Sequence, residues 1–219
     1  IREGRLWEYV SLKSKAHPRL FSAFSKFRVY SSFFESLDPV TKASSAGLFF
    51  YEHRDIFRPE VERHIKRLSR ASRYFQGKVL LLLPRDDASI ASQGPLKRLL
   101  KDLGEAARGN AVQILLYGFP FCLIPLELHG VYPLSQYEVA GTLDPACRIL
   151  VSRRIARILE ALKPKGIVLC NDVNRWGHSV ERACRQACAN VRVLNLSERM
   201  EGPLREKMRL MLDALLELV

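Results

Sequence analysis

The second half of the chain alternates short apolar runs with longer amphipathic stretches. Four runs, at residues 79–83, 112–116, 166–170 and 191–196, predict strands, and the continuous apolar run at 79–83 suits a strand buried on both faces of a sheet. Apolar residues at helical spacing predict helices from residue 95, after the Asp144-Pro145 pair, over about 175–189 and from residue 203. This alternation predicts an α/β fold with a three-layer, mostly parallel, doubly wound sheet.

The chain before this alternation shows helical patterns only. Residues 1–15, 19–34 and 59–75 predict three helices, and the His17-Pro18 and Asp38-Pro39 pairs separate them, because a residue before proline is disfavoured in the helical conformation. We therefore divide the chain into a helical N-terminal region, 1–76, and an α/β domain, 77–219.

A long connection at about 117–139 follows the second predicted strand. It contains three prolines and two glycines, which predict irregular backbone, yet it is also rich in phenylalanine, leucine and tyrosine. Exposed loops are usually short and polar, so we expect this one to be packed. It also starts at the carboxyl end of a strand, where doubly wound sheets bind ligands.

The charge balance favours a polyanionic partner. The chain has 35 Lys and Arg against 23 Asp and Glu, a net charge of +12. Basic residues concentrate on two predicted helices, at 59–75 and after residue 145. The candidate phosphate contacts are Arg58, Arg63, Lys66, Arg67, Arg70, Arg73, Arg148, Arg153, Arg154 and Arg157. The alternative interpretation is a pair of solvated helix faces.

Candidate catalytic chemistry is sparse. The chain has neither a GxGxxG nor a GxxxxGK[ST] phosphate loop, and it has no GxSxG motif. Asp86, Asp87 and Asp172 follow predicted strands and could form an acidic cluster, although turns and helix caps account for aspartates there more simply. Five cysteines without metal-ligand spacing indicate reduced thiols in an intracellular protein. We predict no cofactor, no metal site and no membrane span, and the first residues look like the middle of a longer sequence.

Several segments resemble one family. The stretches IREGRLWEYV, AHPRL, DPVTK, FFY and RPEVERH resemble the region after the catalytic barrel in archaeal tRNA-guanine transglycosylases. The later stretches KVLLLLP, LIPLELHGVYPLSQYE and KGIVLCN resemble the α/β domain that follows there and in the paralogous archaeosine synthases. The resemblance implies a role in making archaeosine in the D-arm of transfer RNA.

The resemblance also implies which parts are missing from this sequence. In the family, the aspartates that exchange the base lie in the barrel, the zinc ligands lie upstream of the matching segment, and a PUA domain ends the protein. No catalytic or zinc-binding residue is therefore carried over. Archaeosine synthases have Pro-Cys-Ser followed by lysines after the first strand of this domain, whereas residues 84–89 here read PRDDAS.

Three hypotheses follow. The first is a cytoplasmic tRNA-binding module that works with a separate transglycosylase barrel, with a docking loop that includes Pro125, Glu127, Tyr132, Pro133 and Gln136. The second is an archaeosine synthase-type enzyme that acts on tRNA containing preQ0. The third is a structural interaction domain without RNA contacts. The sequence favours the first hypothesis over the second, because the synthase-type cysteine and lysines are absent from residues 84–89.

Overall fold

The computed structural model describes residues 6–43, 50, 53–85, 111–136, 145–170, 176–196 and 204–219. The helix predicted from residue 95 and the cluster of Asp86, Asp87 and Asp172 lie outside these residues. Within them, the predicted α/β fold is confirmed: helices surround a five-stranded, mostly parallel sheet.

The sheet is formed by the apolar runs. Its strands are β1 (Val79–Pro84), β2 (Val112–Gly118), β3 (Cys122–Pro125), β4 (Gly166–Leu169) and β5 (Arg192–Asn195), in the spatial order β3-β2-β1-β4-β5. Strands β2, β1, β4 and β5 are parallel, and Val79 of β1 is paired with Val112 on one side and Gly166 on the other. The chain thus winds outward in both directions from β1, as in a doubly wound sheet.

Strand β3 corrects the sequence analysis, which predicted an irregular connection after β2. The backbone turns at 119–121 and returns antiparallel to β2, with Gly118 opposite Cys122 and Leu115 opposite Pro125. The pattern of apolar residues does not reveal this strand, because it has only four residues and ends in proline. Proline is tolerated there because β3 is the edge strand, where one row of backbone groups needs no partner.

The helices match the predicted ones with two interruptions. They are α1 (Leu6–Ser14), α2 (Pro18–Lys26), α3 (Ser31–Leu37), α4 (Pro59–Arg70), α5 (Ser72–Phe75), α6 (Pro145–Leu162), α7 (Ser179–Ala187) and α8 (Leu204–Leu218). Short 3-10 helices span Phe27–Tyr30, His53–Phe57 and Leu126–Leu128. The single helix predicted at 19–34 is divided by the first of these, because phenylalanine, valine and tyrosine are poor helix formers.

The two faces of the sheet pack against different helices. Leu80, Leu82 and Ile167 belong to a core shared with the N-terminal helices, α6 and α7. Val79, Leu81 and Val168 point to the opposite face, where α8 packs. Among the helices that the structure describes, none combines the length and apolar character needed to cross a membrane.

Candidate functional site

The predicted basic helix and the predicted docking loop meet in one groove. This groove has a volume of about 530 Å³ and lies between α4–α5 and the segment from Pro125 to Leu134. Helix residues on its wall include Arg63, His64, Arg67, Leu68 and Tyr74. Loop residues on its wall include Pro125, Glu127, Leu128, Tyr132 and Pro133. Two candidate sets that are about sixty residues apart in sequence therefore form one surface.

Backbone and side-chain hydrogen bonds fix the loop against the helix. The Nε2 atom of His64 lies 2.7 Å from the carbonyl oxygen of Leu123, and because a carbonyl only accepts, Nε2 carries the proton. The Tyr132 hydroxyl donates to the carbonyl of Lys42. On the sheet side, Gln113 Nε2 donates to both carboxylate oxygens of Glu127, at 2.9 and 3.0 Å. These hydrogen bonds involve residues from four different parts of the chain, and they hold the loop in place beside α4.

Burial changes the titration of two groups on the groove wall. Desolvation lowers the pKa of His64 below its ordinary value of 6.5, and the nearby cations of Arg85 and Arg67 act in the same direction. His64 is therefore neutral at pH 7, with its single proton on Nε2. Desolvation also raises the pKa of the Tyr132 hydroxyl, and the Glu60 carboxylate adds to that shift.

Four of the ten candidate phosphate contacts form internal ion pairs. Arg63 contacts Glu35 at 3.4 Å and Thr41 at 3.0 Å, and Lys66 contacts the same Glu35 at 2.6 Å. Burial alone would raise the pKa of Glu35, but the hydrogen bond and charge of Lys66, with help from Arg63, lower it. These cations hold α3 against α4.

The other two internal cations join further elements to α4. Arg58 bridges Glu8 at 3.4 Å and Glu60 at 3.4 Å, which connects α1 to the start of α4. Arg154 of α6 pairs with Glu62 and lies 4.9 Å from the Phe57 ring centroid. A cation that is already neutralised by a carboxylate contributes less to binding a phosphate.

Five of the remaining candidates are exposed. Arg67, Arg70 and Arg73 are exposed along α4 and α5, and Arg153 and Arg157 are exposed on α6. In the described part of the chain, none of these five forms an ion pair. Arg148, the tenth candidate, is half-buried. The sequence pattern predicted ten equivalent cations, and the structure divides them into a structural set and a solvent-facing set.

The docking-loop candidates also differ in exposure. Pro125 is buried at the end of β3, Glu127 is exposed, and Tyr132, Pro133 and Gln136 are half-buried. Gln136 does not line the groove; its backbone N–H donates to the carbonyl of Pro133 and closes a turn.

The carboxyl edge of the sheet, the usual ligand site of this architecture, is partly filled. The Tyr117 hydroxyl donates to the carbonyl of Cys170 at 3.1 Å, and its ring packs edge-on against Trp176 at 5.7 Å. Arg85, directly after β1, is buried and donates to the carbonyl of Leu134. Within residues 6–43, 50, 53–85, 111–136, 145–170, 176–196 and 204–219, no group of three or more metal-ligating side chains is present.

All five cysteines are buried, and none of them forms a disulfide bond. Desolvation raises the pKa of the Cys122 and Cys184 thiols to about 12. Thiols in that state are poor nucleophiles at neutral pH. They pack as small apolar side chains in the core.

Three groove residues escaped the sequence analysis. Gln113 is the one polar residue inside the apolar run 112–116 of β2. A polar side chain within such a run is a signal, visible in the sequence, of a specific polar contact. His64 and Tyr74 look like ordinary members of a basic helix, and only the fold places them opposite the loop. Tyr74 is 52% exposed, and the Lys78 ammonium lies 3.4 Å from its ring centroid.

Comparison with curated proteins confirms the family resemblance. The tRNA-guanine(15) transglycosylase of Saccharolobus solfataricus is 33% identical over 145 residues, which is 66% of this chain and 28% of that protein. Those of Pyrobaculum aerophilum and Methanocaldococcus jannaschii are 34% identical over 146 residues and 37% identical over 145 residues. These alignments include 67% and 66% of this chain, and 28% and 20% of the two relatives.

The aligned region is a part of each relative. The chain spans between about a fifth and somewhat over a quarter of the length of the curated relatives it matches. No family model matches the chain. No solved structure matches it either.

Proposed function

We propose that this chain, which is related over about two thirds of its length to archaeal tRNA-guanine(15) transglycosylases, is a tRNA-binding accessory part of such an enzyme. It works in tRNA modification together with a catalytic barrel. The observation that carries the proposal is the row of exposed arginines beside the groove that the family-like loop forms. The location that we propose is the cytoplasm, where the buried thiols stay reduced.

The exposed arginines suit a phosphate backbone. Arg67, Arg70 and Arg73 follow at three-residue intervals along the end of α4 and through α5, so their charges lie near one another on one side. Arg153 and Arg157 follow helical spacing on α6, and α6 packs against both α4 and α5. Each phosphate that such a cation neutralises releases a condensed counterion, which makes the affinity depend on salt.

The proposal is tested by the salt dependence of tRNA binding. The triple variant Arg67→Gln/Arg70→Gln/Arg73→Gln should lower the slope of log affinity against log salt by about 2 to 3. The matched control removes three exposed cations from α1 and α2 by the substitutions Lys13→Gln, Arg19→Gln and Lys26→Gln. An unchanged slope in the first triple variant, or equal losses in both, contradicts the phosphate role.

The helical N-terminal region offers a surface for the barrel. Eight large apolar side chains in α1 to α3 and the residues that follow are each exposed by 45–74%: Tyr9, Leu12, Leu20, Val29, Tyr30, Phe33, Leu37 and Val40. Monomeric proteins seldom expose so many large apolar residues in one short region, and such residues mark protein interfaces. The partner that we propose for this surface is the catalytic barrel, because the N-terminal stretches resemble the region that follows the barrel in the family.

Interaction with the barrel is tested by size-exclusion chromatography of the chain with a purified transglycosylase barrel. The substitutions Leu12→Lys and Phe33→Lys should abolish co-elution. Ile149→Lys is the matched control, because Ile149 is a similarly exposed apolar residue on α6. Co-elution that survives the first two substitutions, or that the control abolishes equally, excludes this surface as the interface.

A further inference from the structure

The groove has the size and composition of a small-ligand site. Its volume of about 530 Å³ lies within the range of ligand-binding pockets in proteins. Tyr74, Phe75 and Tyr132 bring aromatic rings to its wall, and Leu128 and Val131 bring aliphatic side chains. Leu128 is 42% exposed and Val131 is 51% exposed, so the entrance is apolar and open. Flat aromatic ligands, such as nucleobases, stack on surfaces of this kind.

Three of the polar side chains that line the groove, those of Gln113, Glu127 and Glu60, offer hydrogen-bond acceptors. Gln113 is only 4% exposed, and both of its known bonds use Nε2, which donates to Glu127. In the part of the chain that the structure describes, its Oε1 atom accepts no hydrogen bond. The carboxylate oxygens of Glu127 and Glu60, which also line the groove, are acceptors. Acceptor oxygens that line a groove can take further hydrogen bonds from a ligand, so this wall favours a ligand edge that carries N–H donors.

The positive charge of the groove lies at its helix side. His64 is neutral and donates its single N–H to Leu123, so it offers no positive charge to a ligand. Arg63 is occupied by Glu35 and Thr41. Arg67 also lines the groove, is exposed, and continues into the row formed by Arg70 and Arg73. An anionic group is therefore expected beside Arg67, with its attached apolar or aromatic part inside the groove.

We propose that this groove binds one unpaired nucleotide of an RNA strand, with the base inside and the phosphate at Arg67. The base is one whose edge carries an amino group, because an NH2 group offers two N–H donors to the acceptors of the wall. Uracil is disfavoured, because its edge offers a single N3–H between two carbonyl acceptors. This inference rests on the proposed function, because it takes the bound strand to be RNA. It adds a site for a single base to the phosphate contacts outside the groove. Recognition of splayed bases by stacking and edge hydrogen bonds is the usual way in which proteins read single-stranded RNA.

Nucleoside 5′-monophosphates test the site without the rest of the RNA. In a calorimetric or NMR titration of the full chain, GMP, AMP and CMP should bind at least tenfold more tightly than UMP and inorganic phosphate. Leu128→Trp should fill the groove and abolish nucleotide binding, whereas Ile149→Trp, an equally large change on α6, should leave it unchanged. Arg67→Gln should weaken the binding of all the monophosphates by a similar factor.

Other outcomes overturn the inference. UMP binding equal to that of GMP, AMP and CMP removes base recognition, and monophosphates that bind no better than inorganic phosphate remove the base site altogether. If Leu128→Trp spares nucleotide binding but breaks co-elution with the barrel, the groove receives a protein segment instead. The proposed function fails separately, when the Arg67, Arg70 and Arg73 triple variant leaves the salt slope of tRNA binding unchanged.

Discussion

His64 connects the basic helix to the sheet through a single hydrogen bond. Its ring is 8% exposed, packs edge-on against Phe121 at 5.7 Å, and donates Nε2–H to the carbonyl of Leu123. Protonation would place a second proton, and a charge, in a site that is dry and near two arginines. The folded protein therefore binds a proton at His64 less readily than the unfolded chain does.

This difference predicts a loss of stability at mildly acidic pH. The pKa of His64 is lowered on folding, so its contribution is fully present above the unfolded value of 6.5 and is lost as the pH falls towards the folded pKa. Between these two values, the free energy of unfolding should decrease by up to about 1.4 kcal/mol for each pH unit. Urea unfolding at pH 7.5, 6.5 and 5.5 measures this decrease.

His64→Gln supplies the comparison. Glutamine offers an N–H to Leu123 but does not titrate, so the variant should lose less stability than the wild type over the same pH range. Parallel pH profiles for the two proteins would show that His64 is not the titrating group. The variant should be less stable than the wild type at pH 7.5, because the ring contact with Phe121 is lost.

The arginines of α4 show what a sequence can and cannot reveal at the scale of single residues. Their clustering on one helix was visible in the sequence, and so was the apolar stripe opposite them. The internal pairing of Arg63 and Lys66 was not, because their carboxylate, Glu35, comes from another helix about 30 residues earlier. A helical pattern fixes which side of its own helix a residue occupies, but the elements that cover that side are set by the tertiary fold.

At the scale of elements, α6 shows the same distinction between neighbouring arginines. Arg154 reaches Glu62 on α4, and both side chains are largely buried, at 14% and 12% exposure. Arg153, one residue earlier, is exposed to solvent. Removal of one member of a largely buried ion pair leaves the other charge without compensation.

The substitution Arg154→Met should therefore lower the free energy of unfolding by about 2 kcal/mol, below the full cost of breaking a buried pair, because some exposure remains. Arg153→Met should change it by less than about 0.5 kcal/mol. Affinity for tRNA should show the opposite order, with Arg153→Met the more damaging of the two. Equal stability in the two variants would show that the Arg154–Glu62 pair does not join α6 to α4.

Helix α8 lies close to the sheet at Gly166, a residue without a side chain. A Cβ atom at Gly166 would lie 3.0 Å from Leu218 Cδ1 and 3.4 Å from Leu218 Cβ. Gly166→Ala should therefore force the Leu218 side chain to shift and destabilise the protein by up to about 1 kcal/mol. Gly130→Ala is the control, since nothing lies within 4 Å of a Cβ at that position. Thermal unfolding of the two variants measures the difference, and similar melting temperatures would contradict the close approach.

Elements differed in how well the sequence predicted them. The four parallel strands were found because each lies in an apolar run. Strands β1, β2 and β4 are buried almost throughout, whereas the edge strand β5 is only partly buried. Strand β3 was missed because its pairing with β2 depends on the turn at 119–121, whose geometry the residue pattern did not reveal. The groove was missed for a related reason: it exists only because β3 and the 3-10 helix after it bring the loop back to α4.

At the scale of the whole molecule, the N-terminal helices and the sheet share one core. Trp7 and Phe24 belong to the same buried cluster as Leu80 and Leu82 of β1, with Val61 of α4 in the same cluster. The division of the chain at residue 76 stays a prediction about sequence organisation. The shared core implies that the two parts stabilise each other, because separation would expose the apolar face of the sheet to water.

The two tryptophans of the chain can test this coupling. Trp7 lies in α1 and Trp176 lies just before α7; they are 4% and 2% exposed, so each reports on a different part of one core. In Trp176→Phe the remaining fluorescence follows the N-terminal region, and in Trp7→Phe it follows the α/β domain. Within each variant, the fluorescence transition in urea should coincide with the loss of far-UV circular dichroism, because a shared core unfolds cooperatively. Fluorescence that changes at a lower urea concentration than the dichroism in Trp176→Phe, but not in Trp7→Phe, would show that the N-terminal helices detach first and that the groove opens before the sheet unfolds.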